Sequence, residues 1–222
     1  MVLPVTKPSS HRLLPGIVTL LVLLVAAALG GADSVEDSAR IVIRSTGALS
    51  SVLFVLAWAA APLAHLSGKR WARSLLASRR RVGLGMAMSH GVHLLALLTL
   101  AQLVELGVGP LTQVAGAGGF VVIALMAATS SDAAVAALGR KRWLLLHRTG
   151  MPYLWVVFTF TWAGGAAHSP VAAVGTAVML ALAALRIYAR LRASPPPGNL
   201  TARVRFRYLR PGRSLRARVC GR

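Results

Sequence analysis

Three histidines sit where an imidazole is costly to keep. His90, His93 and His147 each fall inside a long apolar stretch. An ionisable ring within a bilayer is expensive and needs a function to retain it. Neutral imidazole is a ligand for transition metals. Two such rings facing each other across a gap between helices are the axial set of a low-spin b-type heme. Zinc or a di-iron pair would need thiolate or carboxylate partners. The single cysteine is Cys220, in the C-terminal tail, and no carboxylate lies inside a span unless Asp132 does. The competing reading is packing: a histidine hydrogen bond between membrane helices contributes on the order of 1 kcal/mol. Burial alone does not separate the two.

His90 and His93 are about 60° apart on a helix and share one broad face, which argues against both ligating one iron. Depth is a tension. His93 lies roughly 18 Å beyond Arg81 along a helix, whereas His147 lies roughly 7.5 Å beyond Arg142. One iron between His93 and His147 therefore requires the third span to begin in the cytosol, or the fifth to begin deeper. His90 fits the depth slightly better. His11, His65 and His168 lie before the first span, at the inner end of the second and in an outer loop, and need no special role.

Six stretches are long enough to position these rings. About 20 apolar residues cross the hydrocarbon core, and such runs occupy 13–31, 46–66, 82–104, 111–130, 144–166 and 170–189. Of the 222 residues, 56% are hydrophobic and 14% charged, against about 25% charged in a soluble domain. Mean hydropathy is +0.66. The expected fold is all-α: six transmembrane helices in one bundle, with a short N-terminus (1–12), a transmembrane heme-binding domain (13–189) and a basic tail (190–222). The first run has a rival reading as a signal peptide, with Ala26-Ala27-Ala28 and Gly31-Ala32 as a cleavage region. Its length favours a retained helix.

The formal net charge of +20 falls between the spans. Lys69, Arg70, Arg73 and Arg79–Arg81 fill one loop, and Arg140, Lys141 and Arg142 another. The intervening loops carry few cations or are acid-rich, with Asp33, Glu36 and Asp37. The positive-inside rule then places both termini in the cytoplasm. It also explains the charge without nucleic acid, so lipid is the expected partner. The tail alternates basic and apolar residues over 203–208 and suits anionic head groups. Ser131 is expected to cap a short helix over 132–138, with Asp132 in its first turn. Pro152 is expected to kink the fifth span.

Four pieces in order carry a resemblance: Arg80-Arg81-Val82-Gly83-Leu84 with His93 ten residues past Gly83, then Ala127-Ala128-Thr129-Ser130, then Leu138-Gly139-Arg140-Lys141-Arg142-Trp143, then Leu146-His147-Arg148. Thr46-Gly47, Ala61-Pro62-Leu63 and the acidic loop add to it. Together they resemble the ferric-reductase-like transmembrane domain, and within it the heme-binding membrane subunits of periplasmic protein-methionine-sulfoxide reductases. The resemblance covers about residues 30 to 165. It implies a six-helix electron-transfer protein of the bacterial cytoplasmic membrane. It selects His93 over His90 and pairs it with His147 as iron ligands. Members of that branch carry a further histidine where this chain has Phe160, so at least one heme b is expected and the number beyond one stays open.

Arg148, Arg80 and Arg81, with Arg79, stand where they could meet heme propionates or an anionic flavin or quinone head group. Arg186 could do the same from the last span. There is no Gly-rich dinucleotide fingerprint and too little soluble chain for a flavin or nicotinamide domain. Electrons must then come from a quinone, bound FMN or a separate flavoprotein, and go to a separate acceptor protein. The chain reads as the electron-transfer subunit of an oxidoreductase, of methionine sulfoxide reductase or ferric reductase type. The alternative is a non-redox multi-pass scaffold or small permease whose histidines pack.

Overall fold

The computed structural model describes residues 12–193, and the basic stretch at 203–208 and Cys220 lie outside them. Seven helices follow one another with no strand among the described residues: α1 (Leu13–Gly31), α2 (Val35–Ser67), α3 (Arg70–Leu103), α4 (Pro110–Ala128), α5 (Asp132–Leu138), α6 (Arg140–Gly165) and α7 (Pro170–Ala193). Each sequence-predicted span is the body of one long helix. The short helix at 132–138 is present, and Ser131 Oγ accepts from Ala134 N at 3.0 Å. α1, α2, α3, α4 and α7 are long and apolar enough to cross a membrane. α6 is not among these five. Gly150, Pro152, Tyr153, Thr159 and Thr161 dilute its apolar stretch.

Two helices outrun the bilayer. At 1.5 Å per residue, α2 and α3 are each about 50 Å long, against a hydrocarbon core of about 30 Å. The surplus of α2 is its N-terminal end, which carries Glu36, Asp37, Arg40 and Arg44. Ser34 caps that end, accepting from Asp37 N at 3.0 Å, and the two acids lie in the first turn, where the helix dipole favours them. The surplus of α3 is its arginine-rich start, 70–81. The chain turns between them at Gly68, whose φ of 59° is the left-handed C-cap that glycine adopts without a Cβ clash.

In lipid the packing force is close contact and hydrogen bonding rather than exclusion of water. α2 and α3 form the most extensive helix pair. The main core joins Ile17 and Leu21 of α1, Phe54 and Trp58 of α2, Val82 and Met86 of α3, Ile123 of α4, Leu154 and Phe158 of α6, and Met179 and Leu182 of α7. α6 is fastened by its aromatic donors. Tyr153 OH donates to Ala115 O (2.8 Å), Trp155 Nε1 to Met179 O (2.9 Å), Trp162 Nε1 to Ser51 Oγ (3.2 Å) and Trp143 Nε1 to Thr129 O (3.0 Å). These bonds tie α6 to α4, α7, α2 and the α4–α5 turn. They explain why a helix short of hydropathy still has a place in the bundle.

Candidate cofactor site between α3, α6 and α7

A cavity of about 1100 Å³ opens at the arginine-rich end of the bundle. That is at the upper end of cofactor-site volumes, roughly 300–1,000 Å³. Its walls are apolar, with Phe54, Met86, Ile123, Met126 and Met151. Its rim is cationic, with Arg79, Arg80, Arg140, Arg148, Arg186 and Arg190. His147 is the histidine on the lining. Its Nε2 is buried and has no hydrogen-bond partner, and its ring rests on Trp143, with centroids 4.4 Å apart. A buried imidazole nitrogen left without a partner is costly, and a ligated metal is one way to satisfy it.

The arginines differ in how they are held. Arg186 places its guanidinium carbon 4.2 Å from the ring centroid of Trp58, a cation–π contact that fixes the head group at the cavity. Arg80 Nη1 donates to Asp132 Oδ1 at 2.9 Å, bridging α3 and α5. Arg148 follows His147 on α6 and lines the same space. Arg81 is not on the lining. It is about 200° around the helix from Arg79, because successive residues advance about 100°.

His90 and His93 form a second cluster. Their rings stack 5.2 Å apart at 17°. Phe120 lies 4.9 Å from His90, and Phe158 lies 5.6 Å from it. His93 Nδ1 is 3.0 Å from Ile43 O and 3.2 Å from Thr46 Oγ1. His90 Nδ1 is buried without a hydrogen-bond partner. Arg79, Gly83, Met86, His90 and His93 recur at helical spacing, so this cluster continues the cavity-lining stripe of α3 further along the helix.

The register does not bring His93 and His147 together. His90 meets Phe158, which lies about three turns, or roughly 16 Å, past His147 on α6. On α3, His90 lies the same distance past Arg79, which shares the cavity with His147. α3 does begin well before its apolar stretch, as levelling required. It extends by the wrong amount: Arg79 ends level with His147, and the stacked pair lies about three turns beyond. The expectation that His93 and His147 grip one iron therefore needs rings at one depth that this packing holds at two.

The sequence reading named His147, Arg148, Arg80, Arg79 and Arg186, and all five line the cavity. It noted Thr46-Gly47 without their contact to His93, and it missed the seat of Arg186 on Trp58. Neither has a local signal, since both are contacts between distant segments. Among the described residues, no group of three or more His, Cys, Asp or Glu side chains is placed to hold a metal by itself. The donors available are single imidazoles, which suits a metal carried in a porphyrin. The arginine rim suits that cofactor's carboxylates.

The chain is similar to heme-binding subunits of protein-methionine-sulfoxide reductase. It is 36% identical over 138 residues to the protein-methionine-sulfoxide reductase heme-binding subunit MsrQ of Ralstonia nicotianae, covering 58% of each chain. It is 34% identical over 143 residues to the subunit of the same name from Azospira oryzae, covering 57% of this chain and 58% of that one. The chain thus spans less than two thirds of the length of these relatives. No family model and no solved structure matches it. The chain is a multi-pass membrane protein, with helices as its regular structure over the described residues, similar to heme-binding subunits of a redox system.

Proposed function

We propose that this chain is a b-type heme electron-transfer protein of the bacterial cytoplasmic membrane, taking electrons from a quinone or flavin donor and delivering them to a separate acceptor protein. The observation that carries the reading is His147. It lines an apolar cavity together with six arginines, and its buried Nε2 has no hydrogen-bond partner. Heme, when bound, supplies a one-electron Fe(III)/Fe(II) couple.

His147 would ligate the heme iron at the cavity. Arg79, Arg148 and Arg186 would pair with the cofactor's carboxylates, and Arg80, already on Asp132, shapes the mouth. Phe54, Met86 and Ile123 would keep water from the bound group. His93 would be the second ligating imidazole, one level deeper, beside Phe120. All six spans cross the membrane with both termini cytoplasmic, so the cavity faces the inner leaflet and the donor side. FMN or a quinone head group is the alternative anionic occupant of the arginine rim. The acceptor is a methionine sulfoxide reductase or, failing that, a ferric chelate.

A reduced-minus-oxidised spectrum of the detergent-purified chain tests the reading. An imidazole-ligated heme signal that is lost in His147→Ala is the expected result. A colourless preparation would favour a non-redox scaffold and sink it.

A further inference from the structure

We propose that Trp143 is the positioning residue for the His147 imidazole, and that its bond to the end of α4 sets the ring's orientation and depth at the cavity wall; this rests on the reading of His147 as an iron ligand. Among the described residues no hydrogen bond orients the His147 ring, and its buried Nε2 has no partner. A ligating histidine is ordinarily aimed by a hydrogen bond at its other nitrogen. Here a ring contact takes that part. Trp143 and His147 are four residues apart on α6. They share one face, and the later side chain leans back over the turn of the earlier one. Their ring centroids are 4.4 Å apart with the planes at 35°, and both residues line the cavity.

The indole is itself anchored. Trp143 Nε1 donates to Thr129 O at 3.0 Å. Thr129 is the C-cap of α4, and a helix end leaves its last carbonyls without an intrahelical donor. The bond therefore satisfies a group that the end of α4 leaves over. Between the two partners the chain runs through α5, which Ser131 caps and which Asp132 ties to Arg80 of α3 at 2.9 Å. Gly139, at a φ of 81°, then leads into α6. The Trp143–Thr129 bond closes this excursion and fixes where α6 begins relative to the end of α4. A phenylalanine would supply the ring contact without the anchor, so the two parts of the role can be separated.

The test uses the full chain with its heme in detergent. In wild type the Trp143 indole proton, followed in ¹⁵N-tryptophan spectra, is expected to exchange slowly, and the ferric electron paramagnetic resonance spectrum to show one narrow ligand geometry. Trp143→Leu removes both ring and anchor. Its spectrum is expected to broaden over several ligand orientations, and its heme to dissociate about tenfold faster, the lower end of what losing such a partner costs. Trp143→Phe keeps the ring without the anchor and is expected to fall between the two in both readouts. Should Trp143→Leu not fold, the Trp143→Phe spectrum decides alone. A merely structural tryptophan would lower the unfolding temperature of the variants and leave the spectrum and dissociation rate of the loaded protein as in wild type. That result, or a wild-type indole proton that exchanges as fast as a free one, overturns the proposal. If His147→Ala keeps every heme signal, the ligation reading has failed instead, and Trp143 is then a packing residue only.

Discussion

His90 holds its ring 5.6 Å from that of Phe158, about three turns along α6 from His147. This contact sets the depth of the histidines relative to one another. It separates an arginine-rimmed level containing His147 from an aromatic level containing His90 and His93. The two levels are joined by rings: Phe158 stacks on Phe54 at 4.9 Å, and Phe54 meets Trp58 at 5.5 Å beneath Arg186. Packed aromatic side chains therefore run from the cavity to the second level.

Two levels predict that the histidine variants are separable. His147→Ala is expected to remove the heme signal that depends on the cavity. His93→Ala is expected to leave that signal in place. Heme-to-protein ratio and the low-temperature spectrum of each variant measure this. Loss of all heme in both single variants, with the protein still folded, would mean that the rings share one iron and that the register described here is wrong.

The cavity arginines are expected to act unequally. Arg186→Gln removes a guanidinium already oriented by Trp58, and hydrogen bonds to charged groups contribute roughly 1.5–3 kcal/mol. Retention of an anionic cofactor should fall about tenfold or more, which is the lower bound of that range. Arg81→Gln, off the lining, should leave it unchanged. Heme retention through gel filtration at rising salt compares the two. Equal losses would mean that bulk charge, rather than the rim, holds the cofactor.

How much of this was legible in the chain depends on the range of the interaction. The apolar runs mark the six long helices and the Ser131 cap marks the short one, because hydropathy and capping are local. Leu13–Gly31 has the same bounds as its run. α2 and α3 begin 11 and 12 residues before their predicted spans, because a charged segment continues a helix without any apolar signal. Arg148 and Arg186 were identifiable as charges inside spans. The depth of His93 against His147 was not, because it depends on how far α3 slides along α2. That offset is fixed by Ser89 and His93 meeting Thr46; Gly85, where an added Cβ would stand 2.7 Å from Ile17 Cδ1, seats α3 against α1 in the same bundle. No periodicity within one segment encodes such a contact.

Gly118 is expected to be the least substitutable small residue of α4. A Cβ there would overlap the Tyr153 hydroxyl, which donates to Ala115 O at 2.8 Å. Gly118→Ala must push the ring off its acceptor, and overpacking of this kind costs about 1–3 kcal/mol. Tyr153→Phe loses only the bond, on the order of 1 kcal/mol between membrane helices. Thermal unfolding in detergent should rank Gly118→Ala below Tyr153→Phe, and the double variant should recover part of the loss. A Gly118→Ala protein as stable as wild type would mean that α4 and α6 lie further apart than described.

The last prediction concerns Phe160, the position at which the similar branch is expected to carry a histidine. Phe160 is 75% exposed, whereas Phe158, two residues earlier and about 200° around α6, is buried against His90. A histidine at 160 would therefore point away from the His90–His93 cluster and into lipid. Phe160→His should neither add heme nor shift its spectrum, while Phe158→His, aimed at the cluster, should perturb the His93-linked signal. Heme stoichiometry and the ferric electron paramagnetic resonance spectrum of the two variants decide this. A second heme gained in Phe160→His would require α6 to turn by roughly half a revolution from the orientation that Tyr153, Trp155 and Trp162 fasten. It would thereby contradict three hydrogen bonds at once.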